Sequence, residues 1–279
     1  MPSRPLRSPV FRPPVHQTQT QIPLNISERH QQILRQLKEE GKINIQELSL
    51  RMGVSTVTIR KDLKVLEEMN LLFRTRGGGS LNNPYTMERS INEKALIHAE
   101  EKQQIAKAAL DLVGSHDSML IGSGTTVFEL ARQFYPTGPV TVITPAAKVA
   151  LELSNRPNVE LIQLGGTVRP KSSAVVGPAA ESALEGISCN LLFMGVDGID
   201  LDFGLSTTNF NEASLGAKMA EAAETVIVLA DSSKFNKRGL AKICNLDQIH
   251  VIVTDAKVSE RMVKIIQEKG IKVIVSGDR

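Results

Sequence analysis

From residue 118 to residue 277 the chain repeats a pattern that admits few folds. A short apolar run ends in a small or polar residue, and a stretch of helical periodicity follows. The runs are MLIG, VTVIT, VELIQLGG, LLFMGVDG, TVIVLAD, HVIVTD and IKVIVSG. Runs this apolar are buried on both faces, and the intervening helices supply cover for each. The pattern predicts a Rossmann-like α/β domain built on a parallel, helix-covered sheet. Most runs end in Gly, Asp or Thr, which puts small and polar residues at the carboxyl edge, where open α/β sheets bind ligands. A connecting helix from Ser90 to about Val113 is expected to lead into this sheet, and no internal repeat is evident.

Composition narrows the classes further. With 41% hydrophobic and 23% charged residues among 279, the chain suffices for two globular domains. No run approaches the roughly 18 to 20 apolar residues of a membrane helix, and the N-terminus lacks an apolar signal core. A cytoplasmic protein without membrane contact is expected. Cys189 and Cys244 have neither CxxC spacing nor neighbouring histidines, so no zinc site, other metal or disulfide framework is expected, and no cofactor is implied. The net charge of +3 is unevenly spread: Lys and Arg number 3 against 0 acids over residues 1–27, 10 against 7 over 28–83, and 20 against 23 over 84–279. The basic excess lies in the first 83 residues, as a segment facing a polyphosphate requires. A chance imbalance on a solvated surface is the competing reading.

Residues 1–25 carry Pro2, Pro5, Pro9, Pro13, Pro14 and Pro23 with little to bury, and are expected to be a disordered tail. Ser27 then precedes an apolar set at Ile33, Leu34 and Leu37 and a stop at Gly41, which reads as a first helix capped by Ser27. The spacing predicts a second helix over Ile45 to Met52 with Leu48 inward, and a third from Thr56 to Met69. LLFRTRGGGS predicts two short extended pieces, a small β-wing, and Asn82, Asn83 and Pro84 mark a linker. The expected domains are 26–83 and 84–279.

The segment ELSLRMGVSTVTIRKDLKVLEE has helix-turn-helix spacing: Gly53 at the turn, Leu48 and Val54 inward, and Ile59, Leu63 and Leu66 on the buried face of the third helix. Ser55 reads as that helix's N-cap. Thr56, Val57, Thr58, Arg60, Lys61 and Lys64 are then candidates for the outward face, with Ser55 beside them. Hydroxyls near the helix start suit base edges or phosphates, and the cations suit phosphates. Arg74 and Arg76 on the wing would add backbone or minor-groove contacts. The competing reading is a three-helix bundle with a basic solvated face.

Further along, Gly122, Ser123, Gly124, Thr125 and Thr126 form a small-residue loop between a strand and the helical stretch VFELARQF. Such a loop binds anions through free backbone N–H groups and the helix dipole, although a tight strand-to-helix turn needs glycine without any ligand. Three later stretches fall on the same sheet edge: Gly165 and Gly166, Asp197 with Gly198 and Asp200, and LADSSKF with Lys234. The aspartates can bond sugar hydroxyls, and Lys218 or Lys234 can balance phosphate charge. Turn capping is the competing role for the aspartates, and a solvated or helix-terminal charge for the lysines.

These stretches resemble a known family. Residues 28–79, with VSTVTIRKDLKVLE and RTRGGG the most diagnostic, resemble the N-terminal domain of the DeoR family of bacterial regulators, and residues 88–275 resemble its sensor domain, whose fold is similar to ribose-5-phosphate isomerase. The resemblance implies a repressor that assembles as a dimer or tetramer and binds double-stranded operator DNA. It further implies a sugar-phosphate effector near Ser123 to Thr126, Asp197 and Lys218. The family often carries an acidic residue where Gly122 or Ser123 stands. The rival class is an isomerase-like enzyme with an appended DNA-binding domain, which needs a general base and a cation beside the reacting carbon. Counting back from LADSSK puts the isomerase's catalytic glutamate near Ala217 and its lysine near Thr208, neither of which can do that chemistry. A slip in the count brings in Lys218 or Glu212.

Overall fold

The computed structural model describes residues 25–69, 71–75, 77–80 and 90–277. The chain divides into two compact units, Met1–Pro84 and Tyr85–Arg279. The first 24 residues, the linker residues Asn82, Asn83 and Pro84, and Arg76 of the wing lie outside the described residues.

In the first unit, α1 (Ile26–Glu40) is capped by Asn25 and not by Ser27. The Asn25 Oδ1 accepts from the Glu28 N–H at 2.9 Å, and the Glu28 carboxylate accepts from the Asn25 N–H at 3.2 Å. That reciprocal box needs Glu or Gln three residues after the cap; Asn25 has Glu28 there, while Ser27 has His30. Helix α1 stops at Gly41, left-handed at φ 70°. Next comes β1 (Lys42–Asn44), too short for a period to show in sequence, and then α2 (Ile45–Met52) and α3 (Thr56–Glu68), where the spacing predicts them. The wing strands β2 (Phe73–Thr75) and β3 (Gly78–Ser80) pair antiparallel, and β1 joins on the far side of β3. A Cβ at Gly78 would stand 1.6 Å from the Ile43 carbonyl oxygen. The glycines of RTRGGG therefore admit the backbone of β1 as well as making the turn. Ile33, Leu37, Leu48, Ile59 and Leu63 fill the core.

An ion pair crosses this unit. The Arg29 Nε donates to Asp62 Oδ2 at 2.5 Å and its Nη2 to Oδ1 at 2.9 Å, tying α1 to α3 with both side chains buried, and His30 Nε2 lies 3.2 Å from Oδ1.

The second unit opens with α4 (Ile91–Ala95) and α5 (Ala99–Leu110). The single helix expected from Ser90 to about Val113 is thus two, broken at His98, whose backbone is left-handed at φ 54°. That conformation costs about 1 kcal/mol for a residue with a Cβ. It is held by Lys102, whose buried ammonium donates to the carbonyl of Ile97 at 2.5 Å and to that of Lys94 at the end of α4. A cation on the last carbonyls of a helix is also favoured by its dipole. The order continues β4 (Ser118–Ile121), α6 (Thr125–Gln133), β5 (Val140–Thr144), α7 (Ala147–Leu153), β6 (Val159–Gln163), β7 (Thr167–Arg169), β8 (Ala174–Val176), α8 (Pro178–Ser182), β9 (Cys189–Gly195), β10 (Gly198–Asp200), β11 (Gly204–Thr207), α9 (Phe210–Glu221), β12 (Ala223–Leu229), β13 (Ala241–Cys244), β14 (Val251–Asp255), α10 (Glu260–Glu268) and β15 (Lys272–Ser276).

The seven strands predicted from the apolar runs form one parallel sheet in the order β15-β14-β12-β9-β4-β5-β6. Alternate residues face opposite layers. Met119, Ile121, Leu191 and Phe193 pack with residues of α5, α6 and α7, while Leu120, Leu192 and Met194 pack with residues of α9 and α10. Beyond this sheet are the antiparallel pair β7–β8 and the three-stranded sheet β10-β11-β13. No helix among the described residues is long and apolar enough to cross a membrane.

Burial favours the neutral Asp62 carboxyl most, but the hydrogen bonds and charge of Arg29, with His30, outweigh it and hold the group below the usual carboxylate range. The pair's stabilisation is complete above the unfolded carboxyl's pKa of about 3.9 and disappears as pH falls through the lower folded value. Asp62→Asn should destabilise the first unit by about 3 kcal/mol by leaving Arg29 buried without its carboxylate. Amide hydrogen exchange of α1 and α3 in the full chain should then accelerate on the order of a hundredfold, and unchanged protection would show that the pair contributes nothing.

Candidate functional site

On the first unit, α2 turns into α3 through Gly53, left-handed at φ 63°, and the turn is tied by the Ser49 hydroxyl, which donates to the Val54 carbonyl at 2.6 Å. Ser55 is the N-cap of α3: its hydroxyl accepts from the Thr58 N–H at 3.1 Å and lies 3.0 Å from the Thr58 hydroxyl. These two hydroxyls are engaged with each other at the helix start. Val57, Arg60, Lys61 and Lys64 are exposed along the same helix, Thr56 and Thr58 half-exposed. Val57 is 56% exposed, a methyl-bearing side chain in the first turn of a helix otherwise lined by cations. Lys64 approaches Glu68 at 3.8 Å and Arg74 approaches Glu67 at 3.9 Å. Arg60 and Lys61 have no carboxylate within 4 Å among the described residues, and so carry the least compensated positive charge on this face.

On the second unit, the strand order reverses between β4 and β9. The chain moves outward from β4 through β5 and β6, then returns to β9 on the opposite side. The loops leaving these two strands diverge and open a crevice at their carboxyl ends, the site of ligand binding in open α/β sheets. A cleft of about 50 Å³ lies there, lined by Gly122 and Ser123 after β4, Gly195 at the end of β9, Val175 of β8, Thr207 of β11, and Glu212, Leu215, Gly216 and Met219 of α9. Gly124 begins α6, whose first turn has no side-chain cap, with Thr125 half-buried and Thr126 buried behind it. The amides and dipole of that helix therefore face an end where an anion is favoured.

Beside the cleft, Asp197 collects the polar groups of three segments. It accepts from Lys94 Nζ at 2.7 Å, from the Thr207 hydroxyl at 3.1 Å and from the Thr208 hydroxyl at 3.3 Å, and Lys234 Nζ stands 3.8 Å away. Burial is the largest influence on its carboxyl and favours the neutral form. Lys94 and Lys234 nevertheless outweigh it and keep the acid ionised below its ordinary range. Lys102 feels Asp231, Lys234 and Lys94 and is 4% exposed; burial pushes its ammonium from 10.5 down to about 8. Three lysines and two aspartates thus share one edge of the sheet. On the wall of the cleft, Glu212 pairs with Arg169 of β7 at 2.6 Å, and its second oxygen lies 3.4 Å from the Thr207 hydroxyl.

The structure does not bring every expected residue to this place. Lys218 is exposed and pairs with Glu221 at 2.8 Å. Glu212, Leu215, Gly216 and Met219 follow the helical i, i+3, i+4, i+7 rule, whereas Lys218, six residues on, is turned about 240° from Glu212. Asp200 caps its own turn, accepting from the N–H groups of Asp202 and Phe203 at 3.0 and 2.8 Å, with Arg238 at 2.8 Å. Gly165 and Gly166 turn the chain between β6 and β7, where Gly166 packs on Val175 and Val176, and Gly198 lets β10 pass the Lys237 carbonyl. In place of Lys218 the site has Lys94, Lys102, Thr207 and Arg169. None of these sits in a recognisable motif; Lys94 and Lys102 lie on what reads in sequence as a connecting helix.

Comparison with known proteins fits both units. Residues 29–85 match the DeoR-like helix-turn-helix domain, and residues 97–256 match the DeoR C-terminal sensor domain. A protein of Escherichia coli O157:H7 named for repression of the aga operon is 37% identical over 254 residues, covering 90% of this chain and 94% of its own. The L-fucose operon activator of Haemophilus influenzae is 31% identical, covering 88% of this chain and 99% of its own. Among solved structures, ribose 5-phosphate isomerase A of Neisseria gonorrhoeae superposes with a TM-score of 0.37 at 16% identity, over 49% of this chain and 53% of that one. The chain is a DNA-binding transcriptional regulator with a sensor domain. It belongs to the DeoR family.

The depressed Lys102 gives a pH signature. Its folded pKa lies below the unfolded one, so folding disfavours the proton, and sensor stability should rise as pH increases from about 8 toward 10.5, by up to about 3 kcal/mol. Urea unfolding of the full chain across that range checks this, and Lys102→Met should flatten the rise.

Proposed function

We propose that this protein represses a carbohydrate-metabolism operon and leaves its operator when a phosphorylated sugar binds the cleft between β4 and β9. The observation that carries the reading is the convergence, at the switch point of the sheet, of an uncapped helix N-terminus with Lys94, Lys102 and Lys234. A phosphate dianion would compete with Asp197 for the ammonium groups of Lys94 and Lys234, and the neighbouring hydroxyls and carboxylates suit a polyhydroxylated body. Of the expected effector contacts, Gly122, Ser123, Gly124, Thr125, Thr126, Asp197 and Lys234 belong to this reading.

The repressor sign follows the relative named for the aga operon, which matches nearly the whole chain. Binding proceeds without turnover: Thr208 is a hydroxyl bonded to Asp197, Ala217 carries no functional group, and Glu212 is held by Arg169. A coupled assay with each effector should therefore show no loss of substrate. The DNA partner is double-stranded operator, read by α3 through Thr56, Val57 and Thr58 and anchored by Arg60 and Lys61, in an assembly of two or four copies that presents paired heads to paired half-sites. The effector acts only through different affinities for the DNA-competent and released states.

The experiment is operator binding at fixed salt, with DNA from upstream of the protein's own gene, titrated with a panel of sugar phosphates. One compound should release the DNA; bound DNA that no member of the panel disturbs would overturn the sensor half of the proposal. Removing Arg60 or Lys61 should lower the slope of log K against log salt by roughly one for each phosphate that the variant no longer neutralises. An unchanged slope removes that residue from the interface.

A further inference from the structure

The hydrogen bonding of the cleft leaves one acceptor short. The Thr207 hydroxyl has a single proton and stands between two carboxylates, 3.1 Å from Asp197 and 3.4 Å from Glu212. One proton cannot serve both, and Asp197 has Lys94 and Thr208 as further donors. Glu212 pairs on one oxygen with Arg169 at 2.6 Å, while its second oxygen has only a share in the Thr207 hydroxyl. This carboxylate is 15% exposed, lies on the wall of the cleft and faces a guanidinium. A partly buried carboxylate with an unfilled acceptor is costly unless a donor arrives.

The cleft is therefore polar in direction. Ser123, in the loop that leads to the α6 N-terminus, lines one part of it, and the Glu212 carboxylate with its Arg169 partner stands on the α9 wall. We propose that Glu212 is the specificity-determining residue of the sensor, accepting hydrogen bonds from hydroxyl groups on the part of the effector remote from its phosphate. Arg169 is its positioning residue. The sensor thereby discriminates a polyhydroxylated phosphate from phosphate alone, because only the former satisfies Glu212. This inference rests on the sugar-phosphate reading above, and deepens it.

The test uses the full-length protein and isothermal titration with two probes: the panel member that binds the wild type most tightly, and inorganic phosphate. Glu212→Gln keeps the shape but exchanges a charged acceptor for an amide. It should weaken the sugar phosphate by roughly tenfold or more and leave inorganic phosphate within about twofold. Where the single variant unfolds because Arg169 loses its partner, the double variant Arg169→Gln with Glu212→Gln removes both charges and should show the same selective loss. Equal weakening of both probes, or an unchanged sugar phosphate affinity in a folded variant, would overturn the role of Glu212 alone. A wild type that binds no sugar phosphate would overturn this inference together with the reading it rests on.

Discussion

The reversal of strand order between β4 and β9 is the constraint on which the sensor unit depends. A parallel sheet with helices on both faces must send its crossovers to one side from some strand and to the other side from its neighbour. At that boundary the connecting loops part, and no side chain from the sheet can fill the gap at the carboxyl edge. The boundary here lies between strands that end in Ile121 and Gly195, followed and flanked by Gly122 and Ser123. Small residues there keep the crevice open, and the placement of α6, β8 and α9 around it follows from the chain direction. The polar groups that fill the edge, Asp197 above all, are recruited from segments distant in sequence because the crevice needs walls.

That dependence explains what can be read from sequence. The strands inside the sheet are legible because they are apolar on both faces, a pattern that burial imposes locally, while the edge strand β6 shows only as an apolar run interrupted by the exposed Glu160 and Gln163. The helix-turn-helix is legible because Leu48, Gly53, Ile59, Leu63 and Leu66 hold fixed spacings within twenty residues. The loop at Gly122 to Thr126 is legible as a strand-to-helix turn. The cleft's other walls are not, because they depend on which strands are neighbours. Lys94 is 103 residues from Asp197, and Arg169 is 43 from Glu212. Neither pair has a local signature. Lys218 misleads because its charge suits the chemistry, and only the helical phase of α9 relative to the sheet excludes it.

Local capping rules also compete in ways that the order of residues alone conceals. Ser27 and Asn25 are both good N-cap types, and the glutamate at position 28 decides between them through a side chain that reaches back to the cap. The break between α4 and α5 has no glycine or proline to announce it. It is set by a buried lysine, Lys102, whose ammonium must find acceptors and finds them in the carbonyls that the break exposes.

Two ion pairs of the molecule differ in a way that separates structure from function. Arg29 meets Asp62 through two nitrogens in a planar fork, both side chains under one-tenth exposed, and the geometry leaves one arrangement. Asp197 instead meets ammonium groups, which are point charges without a preferred plane, from two different segments, with Lys94 31% and Lys234 23% exposed. A fork of that rigidity resists exchange, and breaking it costs the fold. A carboxylate shared among adjustable ammonium groups can surrender one of them to another anion at little geometric cost, since each lysine can re-aim within its own reach. The first pair therefore fixes the relation of α1 to α3, on which the outward face of α3 depends, and the second forms an edge that a phosphate can enter without dismantling the sheet beneath it.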